Sequence, residues 1–503
     1  MRRLRHADGD AAARTEALRS RLTLVLTALE EPVPADDAEG ALTRRLARGD
    51  ASDVWCTLAV LRGVLPTQPE VLSAVRLLRA DGPEAVLRTV VGRVVPDLDV
   101  VLAPRGVLLD VSPTRSAVDE LGAPLVVEQL VSAWADRDAQ HVRWSADGRR
   151  LLPAPAGGVT AARDDDPVEE RTSVVPWRST LVVLRPPTQQ ATASRVHALA
   201  TWARGATGAV GWGEPAIVAN DRTPGEAAAA AAGLSALRHV DVVAAVSATA
   251  REQYEGWLEM VRTLELPGPR LTTVPLPDEA PEVDDTQVAS WDAAPLPLVV
   301  STGGLGPRGN QLAVLRAANT LWNEGVAFQL LMLGDDRPTS EALARQVTRL
   351  QEAGLPVGVR RGLDLGGTAA LLRSACCLVD VPQHDPLGYH TAIARALGTP
   401  VVAGAHGRSP SPGRDSPVAD PDDSTALVGL LRPLVRGHAP GDLTYRSPAP
   451  TTRTWGAFAD ELWDALVRRA TGPHDPDGVD SPSASSRRGR TTESLDEGIH
   501  EHD

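Results

Sequence analysis

LPLVVST (296–302) opens a series of five short apolar runs that are separated by helix-length segments. Strands that alternate with helices of about ten to fifteen residues are typical of βαβ units, which build a parallel sheet. Such a sheet binds ligands in the loops beyond the carboxyl ends of its strands. The pattern therefore predicts an α/β domain with its ligand site in the loops around 303–309, 334–337 and 382–390. The other four runs are VAFQLLMLG (326–334), PVGVRRG (356–362), CCLVDVP (376–382) and PVVAG (400–404).

Composition restricts the class of protein. The 503 residues are 43% apolar, which is enough for two to three domains of about 150 residues each. Three cysteines are too few for a disulfide framework, and the adjacent Cys376 and Cys377 are predicted to pack as small apolar residues in a buried strand. The net charge is −14, and no stripe of arginine with interleaved aromatic residues is present, so nucleic acid is not an expected ligand. The chain has no lysine, so every cationic role falls to arginine or to a helix N-terminus.

Nothing in the sequence predicts a membrane span or a signal peptide. The apolar run LTLVLTAL (22–29) is shorter than the roughly 20 residues that cross a bilayer. We therefore expect a cytoplasmic protein, an expectation that is compatible with peripheral membrane contact.

Changes of composition along the chain predict four parts. Helical spacing of apolar residues dominates the first part, strand-like and helix-like runs alternate in the next two, and the last part has almost nothing to bury. Within the second part, HVRWSADGRRLL (141–152) predicts a hairpin around Asp147-Gly148, and 153–175 is predicted to be a surface loop. The parts are a helical N-terminal extension (1–95), a first α/β domain (96–285), a second α/β domain with a closing helix at 454–470 (286–470), and a disordered tail (471–503).

The region from roughly 100 to 470 resembles the GT-B glycosyltransferases, in particular the retaining family-4-type enzymes that use nucleotide-sugar donors. The segment VPQHDPLGYHTAIARALGTPVVA (381–403) is similar to their signature of a Glu, a Phe-Gly pair, a second Glu and Gly-Thr-Pro-Val-Val. VVSTGGLGPRGN (299–310) and LLMLGDD (330–336) are similar to the family's glycine-rich basic loop and to a strand end, and GVLLDVSPT (106–114) resembles a bacterial subfamily. The resemblance implies two Rossmann-like parallel-sheet domains that face a cleft, with 96–285 on the acceptor side and 286–470 on the donor side.

The resemblance also implies roles for individual residues. Asp385 takes the place of a Glu that accepts hydrogen bonds from the donor sugar, although Asp385-Pro386 is equally an ordinary helix N-cap and first-turn pair. Arg308 takes the place of a residue that neutralises the departing diphosphate, or it is an exposed loop arginine. The helix that begins near Tyr389 directs its positive end at the cleft, which suits a diphosphate. The implied donor-binding residues are Gly303, Gly304, Gly306, Gly309, Gly334, Asp335, Leu387, Gly388, Tyr389, His390 and Ile393.

Several positions depart from the family pattern. Ile393 stands where the second Glu would hold the ribose hydroxyls, and Gly309 stands at the usual Lys position. The subfamily's Gly-Ile-x-Arg motif is reduced to Gly-Ala-Pro-Leu at 122–125, without its arginine. Asp110 and Asp221 each end a predicted strand, where they would either cap the next turn or meet an acceptor.

The implied reaction is the transfer of a sugar, with retention, from a nucleotide-diphosphate donor to a glycan or lipid-linked acceptor, as in cell-envelope polysaccharide biosynthesis. No cofactor is implied beyond this co-substrate, and no cluster of His, Cys and Asp has metal-ligand spacing.

A first alternative is a catalytically impaired relative that binds a carbohydrate or a protein partner. A second is an NAD-type dinucleotide enzyme, because Gly304, Gly306 and Gly309 form G-x-G-x-x-G after a strand and Asp335 ends the next one. Most tryptophans are expected to pack in the core, and Trp177 and Trp212, in loop-like sequence, are the candidates to test for stacking on sugars.

Overall fold

The computed structural model shows an α/β protein with two largely parallel sheets and a helical layer at its start, which confirms the predicted fold class. Within the described part of the chain, no helix combines the length and the apolar character that a bilayer crossing requires. The domain boundaries at 95, 285 and 470 stay predictions. The structure describes residues 2–112, 122–155, 171–213, 224–280, 282–283, 296–306, 309–334, 339–383, 387–404, 418–420, 423–436 and 453–468.

The chain begins with five helices whose ends follow local sequence signals. Asp50 accepts a hydrogen bond from Ser52 N and starts α3, and Gly63, with φ of 64°, ends it. Thr67 and Glu70 form a capping box at the start of α4, and the break before α5 falls at Gly82. The helices are α1 (Arg2–Ala28), α2 (Ala38–Leu46), α3 (Ala51–Arg62), α4 (Gln68–Asp81) and α5 (Pro83–Val91).

The first sheet has nine strands in the order β1-β5-β4-β3-β2-β6-β7-β8-β9. All neighbours are parallel except β3 with β4 and β4 with β5, so the predicted hairpin is confirmed. The strands are β1 (Asp99–Pro104), β2 (Val107–Asp110), β3 (Ala139–Trp144), β4 (Leu151–Pro153), β5 (Thr172–Trp177), β6 (Thr180–Val183), β7 (Ala206–Gly211), β8 (Val242–Ala245) and β9 (Arg270–Thr273). The helices between them are α6 (Ala123–Ala133), α7 (Gln190–Trp202), α8 (Pro224–Leu237) and α9 (Ala248–Thr263).

The N-terminal helices cover one face of this sheet. Trp55 of α3 stacks on Trp177 of β5 with ring centroids 6.2 Å apart, and the Trp177 indole donates to Ala28 O at 2.8 Å. Asp53 is fully buried and accepts hydrogen bonds from Arg45 Nε at 2.6 Å and from Arg204 at 3.1 Å. The extension and the sheet therefore share one apolar core with a buried ion-pair network beside it.

The second sheet is entirely parallel, in the order β12-β11-β10-β13-β14-β15. Its inner strands are apolar along their length because helices cover both faces. The strands are β10 (Leu298–Ser301), β11 (Gln329–Gly334), β12 (Val357–Arg361), β13 (Cys377–Asp380), β14 (Val401–Gly404) and β15 (Val418–Ala419). The helices are α10 (Gln311–Asn323), α11 (Glu341–Glu352), α12 (Leu365–Ser374), α13 (Tyr389–Ala396) and α14 (Ser424–Val435).

The last described helix, α15 (Trp455–Trp463), runs into a π-helical turn (Asp464–Arg468) and packs back on the first sheet. The Trp134 indole of α6 donates to Ala459 O at 2.9 Å. A Cβ at Gly208 of β7 would lie 2.7 Å from Leu466 O, so only glycine permits this approach. One apolar cluster, which includes Tyr389 and Phe458, consequently reaches from the first sheet to the second.

The polypeptide passes between the two sheets twice, and the two passages are bonded to each other. Asp278 Oδ1 accepts from Arg453 N at 3.2 Å, and Glu279 Oε2 accepts from Trp455 N at 2.6 Å. Both carboxylates therefore accept from backbone N–H groups at the start of α15, where the helix dipole favours negative charge.

Two predictions about the first sheet are wrong. Residues 172–175, predicted to lie in a surface loop, belong to strand β5, because Thr172–Trp177 is rich in β-branched and aromatic residues. Trp177 and Trp212 are 1% and 5% exposed, so neither offers a face to a sugar. The Trp212 indole is satisfied by Leu184 O at 2.7 Å. Cys377 is fully buried in β13, as predicted, whereas Cys376 is half-buried and lies just before the strand.

Candidate functional site

The strand order of the second sheet reverses between β10 and β13, and the loops that leave these two strands lie side by side. Thr302 N donates to Val379 O at 3.2 Å, and the Asn310 amide donates to Val381 O at 3.1 Å. Parallel sheets of this order bind ligands at the crevice where the order reverses. The described part of the candidate site is therefore formed by residues 302–306, 309–310, 381–383 and 387–390, which overlap the loops that the sequence predicts.

A buried polar network holds the two loops together. Asp380 is 5% exposed, and its carboxylate accepts hydrogen bonds from Thr302 Oγ1 at 3.0 Å and from Thr391 Oγ1 at 2.8 Å. Gln311 is 1% exposed, accepts from Ser301 Oγ at 2.8 Å, and donates to Thr302 O at 2.6 Å. Because buried polar groups are stable only when they are hydrogen-bonded, this network fixes both strand ends and the start of α13.

The glycines of the first loop permit close backbone contact. Gly303 has φ of 112°, and a Cβ there would lie 2.9 Å from Gly309 O. A Cβ at Gly309 would overlap the Gly304 carbonyl oxygen, and one at Gly334 would overlap the Leu305 side chain. Gly306, by contrast, has open space around it. The loop is thus folded on itself, and Gly309 leaves no room for a longer side chain at that position.

The second loop leads into α13 through residues that the sequence predicts to bind a ligand. Gly388 is the N-cap of α13, with φ of 58° and no side-chain cap hydrogen bond. Leu387 and Tyr389 are 1% and 2% exposed. The amide groups of the first turn and the helix dipole make such a helix start attractive to anions.

His390 and Ile393 differ sharply in their surroundings. Burial lowers the pKa of His390, and the nearby Asp380 carboxylate partly opposes this shift, so the imidazole is neutral at pH 7. Ile393 is 2% exposed and packs in the apolar cluster that joins the two sheets. The side chain of Ile393 therefore offers no hydrogen-bonding group to a polar ligand.

Three of the predicted residues, Arg308, Asp385 and Asp335, lie outside the described residues, as does Asp221. The structure brings the remaining ones together at the strand ends: Gly303, Gly304, Gly306, Gly309, Gly334, Leu387, Gly388, Tyr389, His390 and Ile393. Sequence reasoning missed Thr302, Gln311, Asp380 and Thr391. For Thr302 and Asp380 the signal in the sequence is a polar residue at the end of an apolar run, which marks the carboxyl end of a strand. Gln311 and Thr391 lie in the first turns of the helices that follow.

The first sheet contributes a second strand end opposite this site. Its order reverses between β2 and β6, and Asp110 ends β2. Asp110 accepts hydrogen bonds from Ser112 N at 3.0 Å and from the Trp144 indole at 2.9 Å. It therefore caps the turn, which is one of the two roles that the sequence allows. Burial raises the pKa of Asp110 to about 6.

The two halves touch where α6 and α13 begin. A Cβ at Gly122, the N-cap of α6, would lie 3.0 Å from Tyr389 Cδ1. Gly122 has φ of 87°, a conformation that glycine adopts without strain. In the described part of the chain, no three His, Cys, Asp or Glu side chains are grouped so as to hold a metal ion.

No family model and no curated protein matches this chain. Solved structures with a similar arrangement include a sucrose-phosphate synthase from Thermosynechococcus elongatus, which is 16% identical with a TM-score of 0.46 over 73% of this chain and 97% of that one. An α,α-trehalose 6-phosphate synthase from Burkholderia multivorans is 12% identical with a TM-score of 0.47, over 73% and 99%. Anabaena HepE in complex with UDP-glucose is 12% identical with a TM-score of 0.47, over 72% and 97%. We base no assignment of function on similarities of this size.

Proposed function

We propose that this protein is a glycosyltransferase that binds a nucleotide-diphosphate sugar at the ends of β10 and β13. The observation that carries the proposal is the reversal of strand order at these two strands, with Asp380 bonded to Thr302 and Thr391 across it. The glycines at 303, 304, 306 and 309 and the start of α13 at Gly388 supply backbone amides and a positive dipole end on either side of this point. This combination suits a diphosphate.

In this proposal the chemistry depends on two residues outside the described part of the chain. Arg308 stabilises the negative charge of the departing diphosphate, and Asp385 accepts hydrogen bonds from the donor sugar. The sugar is transferred with retention to a glycan or lipid-linked acceptor on the side of the first sheet. The departing diphosphate takes the acceptor proton, so no protein general base and no metal is assigned.

The second candidate is a binding module that keeps the fold without catalysis. The burial of Ile393 in an apolar cluster favours it, because that position offers nothing to ribose hydroxyls. The packing of Gly309 against Gly304 favours it too, since a second cation cannot be accommodated there. In this candidate the cleft binds a carbohydrate or a protein partner.

The decisive experiment is a thermal-shift and calorimetric screen of UDP-, GDP- and ADP-sugars, with NAD included, on the wild type and on Arg308→Ala. We expect one nucleotide class to raise the Tm of the wild type by a few degrees and that of Arg308→Ala much less. Arg316→Ala is the matched control, because Arg316 is an exposed arginine on α10. The anomeric configuration of any product, determined by NMR, then tests retention.

The screen also separates the candidates. Binding of a nucleotide sugar without turnover on any glycan or lipid-linked acceptor would favour the binding module. A Tm shift with NAD and none with nucleotide sugars would favour the dinucleotide enzyme. Absence of any nucleotide-dependent shift contradicts the proposed function.

A further inference from the structure

The hydroxyl group of Tyr389 is buried and has no hydrogen-bond partner among the residues that the structure describes. The residue is 2% exposed, and its Oη forms no hydrogen bond with any residue in the described part of the chain. An unsatisfied buried hydroxyl costs about 1–3 kcal/mol, so native proteins rarely keep one unless a water or a ligand satisfies it. Apolar neighbours cannot satisfy this hydroxyl group, so its burial has to be explained by something other than packing.

The position of Tyr389 points to a ligand. It is the first residue of α13, and its ring lies against Gly122, the N-cap of α6, so the side chain contacts the start of a helix from the other half of the protein. Both helices begin at a glycine in the left-handed region. Each helix start carries the positive end of a dipole, so this contact brings two helix N-termini close to each other.

Tyr389 has the correct protonation state for a donor. Burial raises the pKa of Tyr389 well above its usual range, so the phenol keeps its proton throughout the neutral range. All three features, the two helix starts and the phenol, favour a group that accepts hydrogen bonds and carries negative charge. A phosphoryl group has both properties.

We propose that the Tyr389 hydroxyl donates a hydrogen bond to a phosphoryl oxygen of a ligand held between the first turns of α6 and α13. The inference rests on the proposed function, since it assigns a specific hydrogen bond to one of the residues that the resemblance implies for donor binding. No covalent bond is formed or broken in this interaction. Tyr389 is a binding residue, and its role differs from that of Arg308, which supplies charge.

The test compares Tyr389→Phe with the wild type in calorimetric titrations with UDP, the screened nucleotide sugar and inorganic pyrophosphate. Loss of one hydrogen bond to a charged oxygen should weaken binding by about tenfold or more. Without ligand, the Tm of the variant should be unchanged or higher, because an unsatisfied hydroxyl has been removed. Tyr254→Phe is the matched control, since Tyr254 is equally buried but lies on α9.

A spectroscopic measurement is also available, because the chain has only three tyrosines. With fluorotyrosine incorporated, the 19F NMR resonance of Tyr389 is the one that Tyr389→Phe removes. Pyrophosphate should shift this resonance and leave the resonance of Tyr254 unchanged. Equal affinities of wild type and variant, or an unshifted Tyr389 resonance under saturating ligand, would overturn the inference while leaving the proposed function intact. A Tm several degrees lower for the variant would overturn it as well, because the hydroxyl would then have a protein partner. Failure of the wild type to bind any of these ligands would overturn both.

Discussion

The imidazole rings of His197 and His239 lie parallel, with their centroids 3.3 Å apart, where α7 meets the residues after α8. Arg238 is bonded to His239 Nε2 at 2.8 Å, so this nitrogen is the acceptor and His239 is neutral. Burial, with the Arg238 charge in addition, lowers the pKa of His197 from 6.5 to about 4. The contact between these helices therefore requires two uncharged rings.

This contact predicts acid lability. Because the pKa of His197 is lower in the folded than in the unfolded state, the unfolded state binds more protons between pH 6.5 and 4, and stability falls as the pH falls through this window. We expect a loss of about 2 kcal/mol, reduced from the full linkage value because the ring is only half-buried. Urea unfolding at pH 7, 6, 5 and 4 measures it. His197→Phe should make the dependence shallower. Arg238→Gln should raise the folded-state pKa of His197, so that the loss ends at a higher pH and is smaller. An unchanged dependence in both variants would contradict the assignment.

Asp53 is predicted to be the most sensitive charge in the N-terminal extension. Asp53→Ala leaves Arg45 and Arg204 without their buried carboxylate, and breaking a buried pair on one side costs about 3–5 kcal/mol. Asp37→Ala is the matched control, because Asp37 pairs with Arg44 at 3.0 Å on the exposed surface, where such a pair contributes less than about 1 kcal/mol. Equal losses of unfolding free energy in the two variants would show that the network is not buried.

The glycine turn of the candidate site offers a matched pair of substitutions. Gly309→Ala forces its new methyl group against the Gly304 carbonyl, so the loop must move, at a cost of about 1–3 kcal/mol. Gly306→Ala meets no atom within 4 Å and should leave stability nearly unchanged. If the loop binds the donor, Gly309→Ala should also abolish the Tm shift with the nucleotide sugar, whereas Gly306→Ala should keep it. Thermal shift with and without ligand checks both statements.

The hydrogen bond from Trp134 to Ala459 O is predicted to anchor the closing helix. Trp134→Phe removes a buried donor and should cost about 1–2 kcal/mol. Hydrogen–deuterium exchange should rise specifically in 455–468. Trp322→Phe is the control: it also loses an indole hydrogen bond, to Phe328 O at 3.0 Å, but within the second half of the chain. Faster exchange at 455–468 in the control as well would indicate a general loss of stability.

The strands of the second sheet could be predicted because their information is local. β10, β11, β12, β13 and β14 each coincide with an apolar run, and glycine or helix-period sequence marks their ends. β5 could not, since it follows a segment rich in Asp, Glu and Ala, and its partner β1 lies more than seventy residues earlier in the sequence. Pairing over such distances depends on tertiary packing rather than on local pattern.

The candidate site shows the same division. The glycine turn and the helix start at Tyr389 could be located from sequence, because glycine and apolar periodicity mark them. The bonds of Asp380 with Thr302 and Thr391 could not, since Thr302 and Asp380 are 78 positions apart and meet only after β10 and β13 have paired. Nor could the burial of Ile393, which depends on contact between the two halves. The roles of Arg308 and Asp385 stay predictions.

The two bonded passages between the sheets restrict how the crevice can change its width. Asp278 with Arg453 and Glu279 with Trp455 tie the outgoing and returning polypeptide together at a single location. The halves also pack together through the apolar cluster that contains Tyr389 and Phe458. Widening the crevice would therefore expose apolar side chains to water, while the bonds at 278–279 and 453–455 keep the two passages together. The crevice is restrained at two places at once.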